Sequence, residues 1–310
     1  MRAIEQVTFG GPEVLHLVEA DRPEPGPGEV LVRVHAAGVN PTDYWHRATG
    51  GLLGRPVRLG WDVSGVVEAT GVGVALHRPG DAVFGMPRLP HEAGSYAEYL
   101  TAPARHLAPK PAELSHAEAA GLGLAGLTAW QALVDVADVQ PGQRVLVHAA
   151  AGGVGHLAVQ LAKAKGAYVI GTARPANHEF LRGLGADELV DHTTADFAAE
   201  LSDVDIVVDT IGGEYGPRSL RTLREGGIVV SLASPAEAAL AEPAAAEGKR
   251  ARFMLVEPDQ AGLRALSDLV AAGQLRVALD AVLPLEEAAK AHELGQAGRT
   301  RGKIVLTVAD

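Results

Sequence analysis

The chain has no cysteine. That absence excludes disulfides, thiolate nucleophiles, iron–sulfur ligation and cysteine-bound zinc, and leaves the redox compartment undecided. Aromatic residues are scarce at 4%, while glycine is abundant at 37 residues. This balance suits an α/β protein with many tight turns better than an aromatic-rich sandwich. Positive charge is in deficit, with a net charge of −11 and no basic cluster longer than Gly248-Lys249-Arg250. An acidic chain repels phosphate backbones and anionic lipid, so neither nucleic acid nor a membrane is expected as a partner. No unbroken apolar run reaches the roughly 18 residues needed to cross a bilayer. Residues Met1 to Gln6 are too polar for the core of a signal peptide. The expectation is a soluble, cytoplasmic protein.

What is present fills 310 residues, 47% of them hydrophobic, enough for two domains with sizeable cores. Residues 1 to about 115 read as short strands and turns. Glu29 to Val39 alternates apolar residues at Val30, Val32 and Val34. Trp61–Ala69 and Asp81–Gly85 look similar, with Pro-Gly turns between. This part reads as a β-rich barrel. After Leu114 the pattern changes. Ser115–Ala120 and Leu127–Ala137 read as two helices, and short apolar strands then alternate with helices. The strands are expected at Arg144–His148, Tyr168–Thr172, Glu188–Val190, Asp205–Thr210, Gly227–Leu232 and Phe253–Val256. Helices are expected at Val154–Lys165, Ala176–Leu184, Pro258–Ala272 and Leu285–Leu294, with a closing strand at Lys303–Val308. Apolar strands separated by helices imply a parallel sheet covered on both faces.

The strand Arg144–His148 runs into Ala149-Ala150-Ala151-Gly152-Gly153-Val154-Gly155 and then a helix. Glycines in that context let the backbone approach a pyrophosphate whose charge sits on the helix N-terminus, the physics of a dinucleotide site. At the end of the next strand, an NAD site usually places an acid on the ribose 2′-hydroxyl. Here the residues are Gly171-Thr172-Ala173-Arg174-Pro175. Arg174 can instead pair with a 2′-phosphate, which selects NADPH. The expected cofactor contacts are thus Ala150, Gly152, Gly153, Val154 and Gly155 in the loop, with Thr172, Arg174, His178, His192 and Ile211 beyond it. The plain alternative for Arg174 is a solvated loop arginine, and for the two histidines an ordinary surface position.

Several segments together resemble the medium-chain dehydrogenase/reductases, in the zinc-free quinone oxidoreductase branch that includes zeta-crystallin. They are residues 36–43 (AAGVNPTD), 60–67 (GWDVSGVV), 79–83 (PGDAV), 126–130 (GLTAW), 149–155 and 301–306 (RGKIVL), in family order over nearly the whole chain. The resemblance implies a GroES-like β-rich catalytic domain, residues 1–120 and 257–310, with a doubly wound Rossmann domain that binds NADPH, residues 121–256, inserted between. It places Asn40 beside the nicotinamide ribose and Thr128 against the nicotinamide ring, and sets Tyr44 and Trp45 beside the substrate cleft. Asn40, Tyr44, Trp45 and Thr128 are therefore the candidate catalytic set. Asn40 before Pro41, with Asp43 three positions on, also makes a good helix N-cap. Thr128 reads equally as a first-turn residue of a helix, and His46 as a surface residue.

The superfamily's zinc alcohol dehydrogenases carry cysteine where this chain has Asn40, histidine where it has Trp61, and cysteine near Leu124. The cysteine-rich structural lobe would lie between Val83 and Ser95, a short segment without cysteine. No metal is expected. The resemblance implies hydride transfer from NADPH to a quinone or an α,β-unsaturated carbonyl by a homodimer. The alternatives are an enoyl-thioester reductase of the same superfamily and a non-catalytic NADPH-binding protein, either a sensor or a crystallin-like structural protein.

Overall fold

The structure is a computed structural model and describes residues 1–51 and 53–309. The chain forms two compact units, Met1–Leu127 with Glu257–Asp310, and Thr128–Val256. The first is a GroES-like β-rich unit and the second a Rossmann-like parallel-sheet unit.

The first unit is organised by the 11-residue strand Glu29–Val39. It pairs antiparallel with Lys303–Thr307 on one side and Val63–Thr70 on the other. Ala82–Gly85, Leu107–Pro109 and Tyr99–Pro103 extend the sheet, and Leu279–Pro284 closes its far edge in parallel with Lys303–Thr307. The C-terminal end of Glu29–Val39 thereby lies beside the N-terminal ends of two neighbours. It leads straight into helix α1, Pro41–Thr49.

The second unit holds six parallel strands in the order Glu188–Val190, Tyr168–Thr172, Arg144–Val147, Val204–Asp209, Leu223–Ser231 and Arg250–Phe253. Numbered within the unit this is 3-2-1-4-5-6, the dinucleotide-binding order whose switch point lies between the first and fourth strands. One face of the sheet is packed by Leu146, Ile170, Val207 and Val229 against Phe197 and Leu220.

Two expectations are corrected. The two helices expected at Ser115–Ala120 and Leu127–Ala137 are one helix, α2, His116–Trp130, which runs on as a π-helical turn, Gln131–Val136. Its glycines are there for close packing. A Cβ on Gly123 would stand 2.6 Å from Asp62 Oδ1 and 2.7 Å from the Gly85 carbonyl. The continuous His116–Val136 segment is also long and apolar enough to cross a membrane, at mean hydropathy 1.3, although no unbroken apolar run announces it. The fold buries 78% of that window, which makes it a core helix here. Finally, the last strand is Arg250–Phe253 rather than Phe253–Val256, because its main chain takes register from Ile228–Ser231. The outer strand thus exposes Arg250 and Arg252 instead of an apolar ribbon, and charge is how edges resist pairing.

Candidate active site

In the second unit the site residues gather at the carboxyl ends of the strands. The Arg144–Val147 strand ends in a loop that carries Ala149 at φ 46°, a left-handed conformation costly for alanine. The loop closes on itself. A Cβ on Gly155 would lie 2.4 Å from the Ala149 carbonyl oxygen and 2.8 Å from Ala150, so only glycine fits where helix α3, Gly155–Ala164, begins. Gly152, Gly153 and Val154 are partly exposed on the approach to that helix, whereas Ala150 is buried with its N–H on the Thr172 carbonyl at 3.0 Å.

Thr172, expected among the cofactor contacts, has a hydroxyl that already bonds within the protein. It is buried, hydrogen-bonded to His148 Nδ1 at 3.1 Å, and accepts the Ala149 N–H at 3.3 Å. Ser219 donates to the Tyr215 carbonyl at 2.6 Å and so accepts from His148 Nε2 at 3.0 Å. This fixes the imidazole as the Nε2–H tautomer with Thr172 donating to Nδ1. Burial, aided by Arg218, drives the His148 pKa down to about 3, so the ring is neutral. His148 and Thr172 together hold the base of the glycine loop.

Arg174 follows the Tyr168–Thr172 strand, is exposed, and has no side-chain partner among the described residues. On the neighbouring strand Val190 is level with Thr172, and exposed His192 follows two residues past that strand as Arg174 does past its own. His178 Nε2 donates to the Ala173 carbonyl at 3.1 Å. Ile211 is exposed just past the Val204–Asp209 strand. The Asp209 carboxylate shapes that turn by accepting the Ile211 and Gly212 N–H groups at 2.9 and 3.0 Å. Thr128 sits in the last turn of α2, not a first turn, and is buried.

In the first unit the site is built around α1. Asn40 is its N-cap and Pro41 its first residue. The Asn40 N–H donates to Asp43 Oδ2 at 2.7 Å, and Asp43 Oδ1 accepts the Gly60 N–H at 3.0 Å. The Asn40 side chain is engaged elsewhere. Its Nδ2 donates to Asp62 Oδ2 at 2.8 Å, and its Oδ1 accepts from Lys303 Nζ. Burial pushes the Asp43 pKa up to about 7 against the pull of the Asn40 and Gly60 donors. Burial also raises Asp62, against the pull of Lys303 and its hydrogen-bond donors.

Tyr44 is half-buried, edge-on to His292 with ring centroids 6.0 Å apart, and burial lifts its phenol to about 12. Trp45 presents its indole to solvent, 41% exposed. His46 is buried rather than on the surface, with its ring between Trp45 and Trp61 and its Nδ1 on the Thr42 carbonyl at 2.9 Å. Burial lowers its pKa, so it is a neutral packing residue. Below α1, Arg47 donates to His292 Nδ1 at 3.0 Å, which leaves His292 Nε2–H for the Tyr96 hydroxyl at 3.2 Å.

The positions compared with zinc enzymes do not form a metal site. Trp61 is buried with its indole N–H on the His91 carbonyl at 2.8 Å, Asn40 faces Lys303, and Leu124 has an apolar side chain and gives its main-chain N–H to Asp62. No cluster of three or more His, Asp or Glu residues able to hold a metal occurs among the described residues.

Comparison with known proteins agrees with both units. Residues 26–112 match the alcohol dehydrogenase GroES-like domain family, and residues 184–306 match the zinc-binding dehydrogenase family. The mouse quinone oxidoreductase is 33% identical over 99% of this chain and 97% of its own length. A Streptomyces orinoci spectinabilin polyketide synthase protein is 36% identical over 96% of this chain, which spans only 14% of that much longer protein. Among solved structures, the Coxiella burnetii quinone oxidoreductase superposes with a TM-score of 0.95 at 40% identity, covering 99% of each chain. An NAD-dependent alcohol dehydrogenase gives 0.89 at 36% identity over the full length of both. A mycobacterial protein complexed with NADPH gives 0.87 at 30%, covering 99% of this chain and 100% of the other.

Proposed function

Since this chain belongs to the medium-chain dehydrogenase/reductase superfamily, in its zinc-free quinone oxidoreductase branch, we propose that it is an NADPH-dependent reductase of quinones or α,β-unsaturated carbonyls. The single observation that carries the cofactor choice is Arg174, an exposed, unpartnered guanidinium just past the strand where an NAD enzyme would place an acid. The glycine loop fits a pyrophosphate, since a side chain at Gly155 would fill its turn. Gly152, Gly153 and Val154 would line the phosphates, with His178, His192 and Ile211 around the nucleotide.

When bound, NADPH supplies a hydride that, with one proton from solvent, converts a quinone to its hydroquinone and leaves NADP⁺. The residues' own task is positional. Asn40 and Thr128 hold the nicotinamide end in this reading, and Trp45 and Tyr44 border the acceptor. Oxidising an alcohol requires a proton to leave its oxygen, and zinc relatives acidify that oxygen with the metal. Asn40, Trp61 and Leu124 do not fit a metal, and His46 is buried against Trp45 and Trp61 rather than open to a substrate. A conjugated acceptor needs neither, because its developing charge is delocalised. A cytoplasmic location and a homodimer belong to the same proposal.

The polyketide synthase relative favours one second reading, reduction of an enoyl thioester by the same hydride step. One panel under common conditions separates these readings. Benzoquinone, naphthoquinone, an enone, an enoyl thioester and a primary alcohol are each assayed with NADPH or NADP⁺. Quinone or enone reduction exceeding alcohol oxidation is expected. Thioester turnover alone selects the second reading, tight NADPH binding without turnover a non-catalytic protein, and efficient alcohol oxidation alone overturns both reductase readings.

A further inference from the structure

Asn40 lies 22 positions from Asp62 and 263 from Lys303, yet the sheet brings all three together. The Glu29–Val39 strand ends where two of its antiparallel neighbours begin, one preceded by Asp62 and the other opening with Lys303. Each ammonium donor of Lys303 has an acceptor: the Val39 carbonyl at 3.2 Å, Asn40 Oδ1, and Asp62 Oδ2 at 3.5 Å. Asp62 takes the Leu124 N–H on one oxygen and Asn40 Nδ2 on the other. Room for this carboxylate is made by glycine on two sides, since a Cβ on either Gly38 or Gly123 would lie 2.6 Å from an Asp62 oxygen. Asn40, Asp62 and Lys303 are 2%, 0% and 3% exposed.

The chemistry of this arrangement is directional. A carboxylate can only accept and an ammonium can only donate. Flipping the Asn40 amide would set its NH₂ against Lys303 and its oxygen against Asp62, reversing two charge-assisted bonds at once. Those two bonds suffice to fix the amide, and the second N–H of Nδ2 has no acceptor among the described residues. We propose that Lys303 and Asp62 are positioning residues that lock the Asn40 amide in one orientation and so present its second N–H as a fixed donor to a ligand oxygen. The lock follows from the first unit alone. Its use in hydride transfer rests on the reductase reading above.

The test removes both charges together with Asp62→Asn/Lys303→Met, so that neither member of the pair is left as a bare ion. Asn40→Ala and the triple variant complete the set, and Lys303→Arg, which keeps the charge but changes its shape, is read alongside in case the double variant does not fold. In ¹⁵N-labelled protein the Asn40 side-chain signals are assigned by their loss in Asn40→Ala. Hydrogen exchange of the Asp62-bound amide proton is expected to quicken at least about tenfold in the double variant, and measurably in Lys303→Arg. With naphthoquinone, kcat is expected to fall about tenfold to a hundredfold while KM changes little. Asn40→Ala should then add no further loss in the triple variant. Unchanged exchange in the clamp variants overturns the lock, and so do kcat losses that multiply in the triple variant. A wild-type protein that reduces no acceptor defeats the reductase reading instead, and the exchange measurement still decides the lock.

Discussion

At the base of the glycine loop, in residues 128–256, the buried side chains around His148 are neutral. His148, Thr172 and Ser219 pass hydrogen bonds from one to the next, and no ion is involved. Under α1, in the other unit, the buried groups are ions or acids held near ionisation: Asp43, Asp62, Lys303 and Arg47. The neutral chain is directional because donors alternate with acceptors. The charged group is directional because Asp62 and Lys303 each permit only one orientation of the Asn40 amide. The two solutions fail differently. Losing one member of a neutral chain leaves an unsatisfied polar group, at about 1–3 kcal/mol. Losing one member of a buried ion pair leaves a bare charge, at about 3–5 kcal/mol.

The sharpest way to break this contrast is Lys303→Met. It should destabilise the first unit by about 3–5 kcal/mol at pH 7 in chemical denaturation. The loss should shrink on acidification towards 3.8, the ordinary carboxyl value, because a protonated Asp62 needs no cation. A loss under about 1 kcal/mol at pH 7 would mean that Asp62 is not held as an ion.

Next in size is Gly155→Ala. The added methyl must displace the Ala149–Ala150 backbone, so NADPH affinity measured by fluorescence titration should fall about tenfold to a hundredfold, roughly 1.4–2.7 kcal/mol. Far-ultraviolet circular dichroism should stay unchanged. Undiminished affinity would remove the loop from the site.

A smaller effect, spread over a pH range, comes from His148. Its folded pKa is about 3 against an ordinary 6.5, so between these values the unfolded chain binds the extra proton. Stability from this group is complete above 6.5 and is lost as pH falls, with a slope of about 1.4 kcal/mol per pH unit. His148→Gln should flatten the acid side of the denaturation profile by that one-proton slope. Asp43 has the opposite sign. Its pKa is raised from 3.8 to about 7, so its contribution is complete below 3.8 and is lost as pH rises towards 7. Asp43→Asn should therefore steepen the net decline on acidification. An unchanged slope in either variant would contradict the corresponding protonation state.

The two sites also differ in how far they can be read from the chain. The glycine loop, Arg174 and Ile211 follow strands whose apolar pattern is local, so their convergence at one sheet edge is legible in the amino-acid sequence alone. Strand Glu29–Val39 is legible to the residue for the same reason. Asp62 and Lys303 are different. Each is a single charge beside an apolar strand, and only the pairing of three strand ends shows that they meet at Asn40. The one local signal is a charge bordering a buried strand. His46 reads as a surface residue because its burial depends on Trp61, fifteen positions away, and on the turn at Gly51. Residues 121–126 read as a helix break because glycine usually marks a turn, whereas here it makes room for Asp62 and Leu266. Thr172 stands at the end of a legible strand, but its bond to His148 depends on the neighbouring strand and no spacing announces it.

The measurement that bears most directly on the account is kcat/KM for NADPH and for NADH with naphthoquinone, in the wild type and in Arg174→Ala. A charge-assisted contact to the 2′-phosphate predicts a wild-type preference for NADPH of about tenfold to a hundredfold, and its collapse towards parity in the variant with NADH turnover unchanged. Equal use of both cofactors by the wild type, or a preference that survives the loss of Arg174, would contradict it.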